Sequence, residues 1–103
     1  MKVHTVVITL LDVGKELTGV EIAQRVEDFI VRTTAALPPK TDVVINFSGI
    51  EIIDMKTLAV LLRLSCKLSH LTFRLKFDNQ HVYKEVLFSG LCDQREVELV
   101  ESA

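Results

Sequence analysis

The residues that could do chemistry gather in the stretch "NFSGIEIIDMKT", residues 46 to 57. Ser48 has a hydroxyl that could act as a nucleophile, and Glu51 and Asp54 could form an acid/base pair. However, the G-x-S-x-G pattern of a nucleophile elbow is missing, and Asp54 stands where a helix should begin. A carboxylate at that position caps the helix with one hydrogen bond and needs no unusual pKa. We therefore interpret Asp54 as a helix cap and expect no enzymatic activity.

The sequence does not encode the common metal and phosphate sites. The histidines, His4, His70 and His81, have neither H-x-x-x-H nor H-E-x-x-H spacing, and the four glycines form no phosphate-binding loop. We expect no metal and no cofactor. The helix that follows Asp54 nevertheless begins with unpaired N–H groups, and Lys56 and Thr57 could add side-chain donors. A small-anion or nucleotide site at this helix start therefore stays open as an alternative function.

Composition is that of one compact domain over residues 1–103. Apolar residues make up 49% of the chain, charged residues 25%, and the net charge is −2, so nothing recommends a nucleic-acid partner. The first apolar run is closed by Asp12 and predicts a strand, and no run is long enough for direct membrane insertion. Cys66 and Cys92 lie far apart and are interpreted as reduced thiols, Cys66 as a small hydrophobe within a helix. We expect a cytoplasmic protein.

A strand and a helix are predicted ahead of residues 46 to 57. Residues 3 to 11 are rich in Val, Ile and Thr, which is typical of a strand. Thr18, followed three residues later by Glu21, is a capping-box pattern and predicts the start of a helix. Pro38 and Pro39 end that helix, because proline cannot donate a helical hydrogen bond.

Two further helices and three strands follow. The run "DVVINF" predicts a strand buried on both faces, and a second helix extends from Met55 to about residue 69. Its predicted core face comprises Leu58, Leu61, Leu62, Ser65 and Leu68. The strand "LTFRLKF" alternates apolar and polar residues, so one face of the sheet is expected to be solvated. Asp78 or Asn79 can cap a third helix that ends at Gly90, and "EVELV" is a final short strand.

The predicted order is β-α-β-α-β-α-β, which specifies a single-domain α/β protein. We expect a mostly parallel or mixed sheet of four to five strands, because each connection is long enough for a parallel crossover. A self-associating sheet face or edge would make a homodimer, and this alternative stays open.

Two stretches carry a resemblance to a known family. "VVINFSGIEIIDMKTLAVLLRL", residues 43 to 64, and "FDNQHVYKEVLFSGL", residues 77 to 91, resemble the STAS domain of anti-sigma-factor antagonists, stressosome proteins and anion-transporter tails. The likeness consists of a strand, an Asp at the start of the next helix, an L-x-x-L-L helix, a further strand and a "V..VL..SGL" helix. It implies a STAS-like fold with helices mainly on one face, and a regulatory protein that binds a kinase-like anti-sigma factor or a related regulator. A STAS-like subunit of a membrane transport complex is the other role that the resemblance allows.

The resemblance also implies a missing switch. In regulatory members of the family, the residue directly after this Asp is a Ser or Thr that a kinase phosphorylates, whereas here it is Met55. Methionine cannot accept phosphate, so the family's switch is not carried over to this position. Thr57 has a hydroxyl, but at the third helical position we expect it to cap its own helix or to point to solvent.

The hypothesis that we favour from the sequence is a protein-docking site at the start of the second helix. Its predicted partner-binding residues are Asp54, Met55, Lys56, Thr57, Val60 and Arg63. Met55 would be an apolar anchor, and Lys56 and Arg63 would steer an acidic partner. The alternative is that this stripe is a solvated face, with Val60 packed under a neighbouring loop.

Overall fold

A computed structural model gives the fold of residues 5–89 and the backbone of residues 96–99. Over these residues the helices are α1 (Val20–Thr34), α2 (Met55–Lys67) and α3 (Gln80–Phe88). The strands are β1 (Thr5–Thr9), β2 (Glu16–Leu17), β3 (Asp42–Asn46), β4 (Ile52–Ile53), β5 (Thr72–Phe77) and β6 (Glu96–Leu99), and a 3-10 turn at Leu10–Asp12 follows β1. The predicted α/β class is confirmed.

The strands form two parallel sheets. The larger sheet has the order β1-β3-β5-β6, and β2 pairs with β4 in a separate two-stranded sheet. The sequence did not predict β2 or β4, because a two-residue strand is too short to show alternation. This small sheet joins the segment before α1 to the segment before α2, so it fixes the two helix starts relative to each other.

One face of the larger sheet is buried beneath the helices. Ile30 of α1 and Leu61 of α2 line a small apolar space together with Ile45 of β3, and Tyr83 of α3 contacts Phe77 of β5 on the same face. The other face is more open, since Val44 is only half-buried. The prediction that β3 is buried on both faces is therefore wrong, whereas the alternation predicted for β5 is confirmed.

The start of α1 differs from the prediction. Gly19 is the N-cap, with a φ of 92°, and no side chain caps this helix, so the predicted Thr18/Glu21 capping box is wrong. The positive φ favours glycine, and the Gly19 N–H is bonded to a distant carboxylate, that of Asp54. The helix ends at Thr34, four residues before Pro38.

The other predicted helix ends are partly confirmed. Asn79 caps α3, because its side-chain oxygen accepts hydrogen bonds from the N–H groups of His81 and Val82. The predicted helix end at Gly90 lies outside the described residues, as do Cys92 and residues 3 and 4 of the predicted first strand. No helix in the described part of the chain is long and apolar enough to cross a membrane.

Helix α2 buries a wider face than the sequence predicted. Leu58, Leu61 and Ser65 are buried as expected, whereas Leu62 and Leu68 of the predicted core face are only half-buried. Val60 and Leu64 are buried as well. Cys66 is exposed, so its predicted role as a packed hydrophobe is wrong. The helix is apolar around much of its circumference, and this composition alone does not say which residues a neighbour covers.

Candidate functional site at the start of α2

Asp54 joins three segments of the chain at one point. Its Oδ1 atom accepts a hydrogen bond from the N–H of Thr57 at 3.1 Å, which caps α2 as the sequence predicted. Its Oδ2 atom accepts from the N–H of Gly19 at 2.8 Å, and its own N–H donates to the C=O of Leu17 at 3.1 Å. The carboxylate thus ties the start of α2 to the start of α1, and the backbone N–H of Asp54 ties it to β2.

Thr57 strengthens the same connection from inside the protein. Its side chain is fully buried, and its hydroxyl donates to the C=O of Leu17 at 3.0 Å. The expectation that Thr57 caps its own helix or points to solvent is wrong, because the third residue of α2 faces β2. A buried Thr57 positions the site and offers no surface to a partner.

The carboxyl group of Asp54 is held in its ionised form. Partial burial raises its pKa, and the hydrogen bonds from Gly19 and Thr57, together with the charge of Lys56, outweigh this effect, so the pKa lies below its ordinary value. The negative charge stands at the positive end of the α2 dipole. Because the carboxylate already occupies this position, the geometry does not favour the alternative of a small-anion or nucleotide site.

The lowered pKa predicts a pH dependence of stability. A carboxylate whose pKa is lower in the folded state stabilises the fold at every pH above its unfolded value, near 3.8, and this contribution is lost as the pH falls through the folded pKa. We expect the difference in unfolding free energy between the wild type and Asp54→Asn to be constant at higher pH and to shrink below about pH 4. Urea unfolding at a series of pH values measures it. A gap that stays constant down to the lowest pH at which both proteins fold would contradict the prediction.

Three apolar side chains at, or just before, the starts of α1 and α2 are exposed. Met55 is 71% exposed, Val20 at the start of α1 is 67% exposed, and Ile52 of β4 is 49% exposed. Val20 follows Gly19 and Met55 follows Asp54, so the Gly19–Asp54 hydrogen bond brings these positions to the same end of the domain. We call Val20, Ile52 and Met55 the junction patch. The sequence singled out Met55 but missed Val20 and Ile52, because the position of Val20 depends on the Gly19–Asp54 hydrogen bond and the β2–β4 pairing, and the exposure of Ile52 depends on how β4 is packed.

The remaining predicted partner-binding residues have different surroundings. Lys56 is exposed next to the junction patch. Val60 is buried, so the expectation that it lies on the accessible surface is wrong. Arg63 is exposed and forms an ion pair with Glu27 of α1. This pair links the surfaces of α1 and α2, and it engages the guanidinium that was expected to steer an acidic partner.

The turn that carries Ser48 serves to connect β3 with the junction patch. The N–H of Ser48 donates to Oδ1 of Asn46 at 3.0 Å, and the N–H of Gly49 donates to the carboxylate of Asp78 at 3.2 Å. Gly49 has a φ of 85°, and a Cβ there would lie 2.9 Å from the Leu11 side chain. Within the described residues, no group of three or more His, Cys, Asp or Glu is placed to hold a metal ion. The observed contacts of this turn are those of a tightly fixed connection.

Comparison with known proteins neither supports nor contradicts the resemblance to STAS domains. No protein-family model, no curated protein and no solved structure matches the chain. The STAS-like topology and the partner class therefore stay predictions that rest on the residues of the two stretches quoted above. What the structure establishes is a small α/β domain with mostly parallel strands, in which the Asp54 carboxylate links the starts of two helices.

Proposed function

We propose that this protein is a non-enzymatic regulatory module that binds a partner protein through the junction patch. The observation that carries the proposal is the high exposure of Met55, Val20 and Ile52, whose backbones the Gly19–Asp54 hydrogen bond and the β2–β4 pairing bring to the same end of the domain. Exposed apolar side chains that gather at one place are a common mark of a protein-binding surface. Methionine is unbranched and polarisable, and it adapts well to a partner's surface.

Hydrogen bonds hold the backbone that carries the junction patch, which favours binding. The carboxylate of Asp54 and the hydroxyl of Thr57 fix both helix starts to the C=O of Leu17 and the N–H of Gly19. A surface that is already ordered loses little conformational entropy when a partner docks. Backbone order at the patch therefore supports affinity without any rearrangement of the domain.

The charges near the patch are mixed. Lys56, which follows Met55 in the chain, is exposed. Two residues of opposite charge are exposed too: Glu21 follows Val20, and Glu51 precedes Ile52. Arg63 is engaged by Glu27. Apolar contact therefore carries the proposed binding, and Lys56 contributes a local attraction to an acidic side chain of the partner.

The resemblance to STAS domains supplies the class of partner. It favours a kinase-like anti-sigma factor or a related regulator in the cytoplasm, or the other subunits of a membrane transport complex. Met55 stands at the family's phosphoacceptor position, and the Thr57 hydroxyl is buried and hydrogen-bonded. Binding through the patch is therefore constitutive or is regulated elsewhere on the protein.

The substitution Met55→Glu tests the proposal. We expect it to weaken partner binding at least about tenfold, because a carboxylate would be desolvated in an apolar contact. Met55 is exposed, so the fold should be unaffected. Proteins recovered with the tagged wild type are identified by mass spectrometry, and the affinity of each purified candidate is then measured for wild type and variant.

Val31→Glu is the matched control. Val31 is an exposed aliphatic residue on α1 and is not part of the junction patch. A partner that binds the wild type and Val31→Glu equally, and Met55→Glu much more weakly, supports the proposal. If every recovered protein binds all three forms equally, the junction patch is not the docking site.

A further inference from the structure

We propose that two copies of this chain pair through the outer edge of β1, in an antiparallel arrangement centred on Val7. Strand β1 is the last strand on its side of the larger sheet, and no described residue pairs with its outer edge. The inference is independent of the junction patch, because it concerns the sheet and not the helix starts.

The hydrogen bonds of the residues that directly flank β3 show which backbone groups of β1 are unpaired within the sheet. The N–H of Phe47 donates to the C=O of Lys76 at 2.8 Å, and the N–H of Thr72 donates to the C=O of Thr41 at 2.9 Å. Odd-numbered residues of β3 therefore bond to β5, and even-numbered residues bond to β1. Along a strand, the N–H and C=O groups of successive residues point alternately to one side and the other. In a parallel pair, Val44 therefore bonds to the two residues on either side of its partner Val7, and not to Val7 itself. The N–H and C=O of Val7 consequently point away from the sheet.

The side chains of β1 lack the usual protection of an edge strand. All five residues of the strand, Thr5, Val6, Val7, Ile8 and Thr9, are β-branched, and none is charged or is proline. Proteins commonly guard such edges with charges, prolines or bulges, because an open edge recruits another strand. By contrast, the opposite edge strand, β6, has Glu96 and Glu98 among its four residues.

A second copy of this chain fits this edge better than an unrelated strand does, because β1 is self-complementary. In an antiparallel pair centred on Val7, the two Val7 residues lie opposite each other, Val6 faces Ile8 of the second copy, and Thr5 faces Thr9. Each copy would bond its Val7 N–H to the Val7 C=O of the other. Pairs of β-branched residues, and Thr–Thr pairs, are favourable across antiparallel strands. The result is a two-fold dimer with one continuous sheet.

A five-residue strand edge buries little surface, so the dimer is expected to be weak. Stable interfaces usually bury about 1,200–2,000 Å² in total, more than one short strand provides. We therefore expect a reversible monomer–dimer equilibrium, with the dimer at high micromolar protein. Sedimentation equilibrium of the purified chain over a concentration series measures it without any other protein.

The substitutions Val7→Lys and Val7→Glu test both the edge and the register. The side chain of Val7 is 56% exposed on the open face of the sheet, so the monomer should tolerate either charge. Each variant alone places like charges opposite each other and should be monomeric throughout the series. An equimolar mixture places Lys opposite Glu, and the dimer should return at a concentration similar to that of the wild type.

Thr72→Lys and Thr72→Glu are the matched controls. Thr72 is exposed on the same face of the sheet, on β5, where it does not meet its own copy in the proposed dimer. Wild-type protein that is monomeric at every concentration overturns the inference. So does a dimer that survives both Val7 variants, or one that is lost in each variant and does not return on mixing. None of these outcomes depends on Met55, so they are distinguishable from a failure of the proposed function.

Discussion

Replacement of Asp54 by alanine is expected to lower the free energy of unfolding by about 2–3 kcal/mol. The loss has two sources. The N–H of Thr57 loses its capping acceptor, which typically costs about 1 kcal/mol. The N–H of Gly19 loses a charged acceptor at 2.8 Å across 35 residues of sequence, and hydrogen bonds to charged groups contribute about 1.5–3 kcal/mol. The two losses share one carboxylate and a partly solvated site, so they add incompletely.

Asp54→Asn separates these two contributions. Its amide oxygen can still cap α2 through Thr57, but its NH₂ group would face the N–H of Gly19, so only the second hydrogen bond is lost. We expect more than half of the effect of alanine, because the hydrogen bond from the Gly19 N–H is the larger of the two contributions. Urea unfolding monitored by circular dichroism, with unchanged m values, measures both variants.

An exposed carboxylate on another helix provides the control for this series. Glu85→Ala, on α3, should change the unfolding free energy by no more than about 0.5 kcal/mol. If Asp54→Ala behaves like Glu85→Ala, then Asp54 does not hold the helix starts together. The order of the backbone at the junction patch would then have another cause.

The sequence predicted local features of the fold well. Asp54 and Asn79 cap their helices as predicted, because an Asn or Asp cap needs only a backbone N–H two or three residues further on. The alternation of apolar and polar residues in β5 was predicted equally well, since it reflects one buried and one open face of the sheet. The Thr18/Glu21 pattern gave a wrong prediction for the opposite reason. The helix begins one residue later, with Gly19 as its N-cap, and the Gly19 N–H donates a hydrogen bond to a carboxylate 35 residues away, a partner that no local pattern reveals.

The candidate site could be predicted only in part. The exposure of Met55 follows from its position just after the cap, where a side chain has few neighbours. Val60 is buried although its position on α2 was equally consistent with exposure, because the helix has apolar residues around most of its circumference. Val20 is brought to the same end of the domain as Met55 by the Gly19–Asp54 hydrogen bond and the pairing of β2 with β4, and strands of two residues leave no periodic signal. Tertiary contacts, not local propensity, assemble the junction patch.

The largest loss of stability is expected from Phe77→Ala. The Phe77 ring is fully buried, stacks on Phe47 with ring centroids 4.5 Å apart, and meets the Tyr83 ring edge-on at 5.4 Å. Truncation of a buried Phe leaves a cavity and typically costs about 3–5 kcal/mol. A domain of this size has only about 5–15 kcal/mol of stability, so the variant should be close to unfolding at 37 °C. Thermal and urea unfolding measure the loss.

Phe77→Leu and Phe88→Ala identify the source of that loss. Leucine keeps most of the buried volume but gives up two aromatic contacts, each of which contributes about 0.5–1.5 kcal/mol, so its cost should be well below that of alanine. Phe88 is 84% exposed on α3, and its truncation should change stability by no more than about 0.5 kcal/mol. A Phe77→Ala protein as stable as Phe88→Ala would mean that this stack does not anchor the ends of β3 and β5.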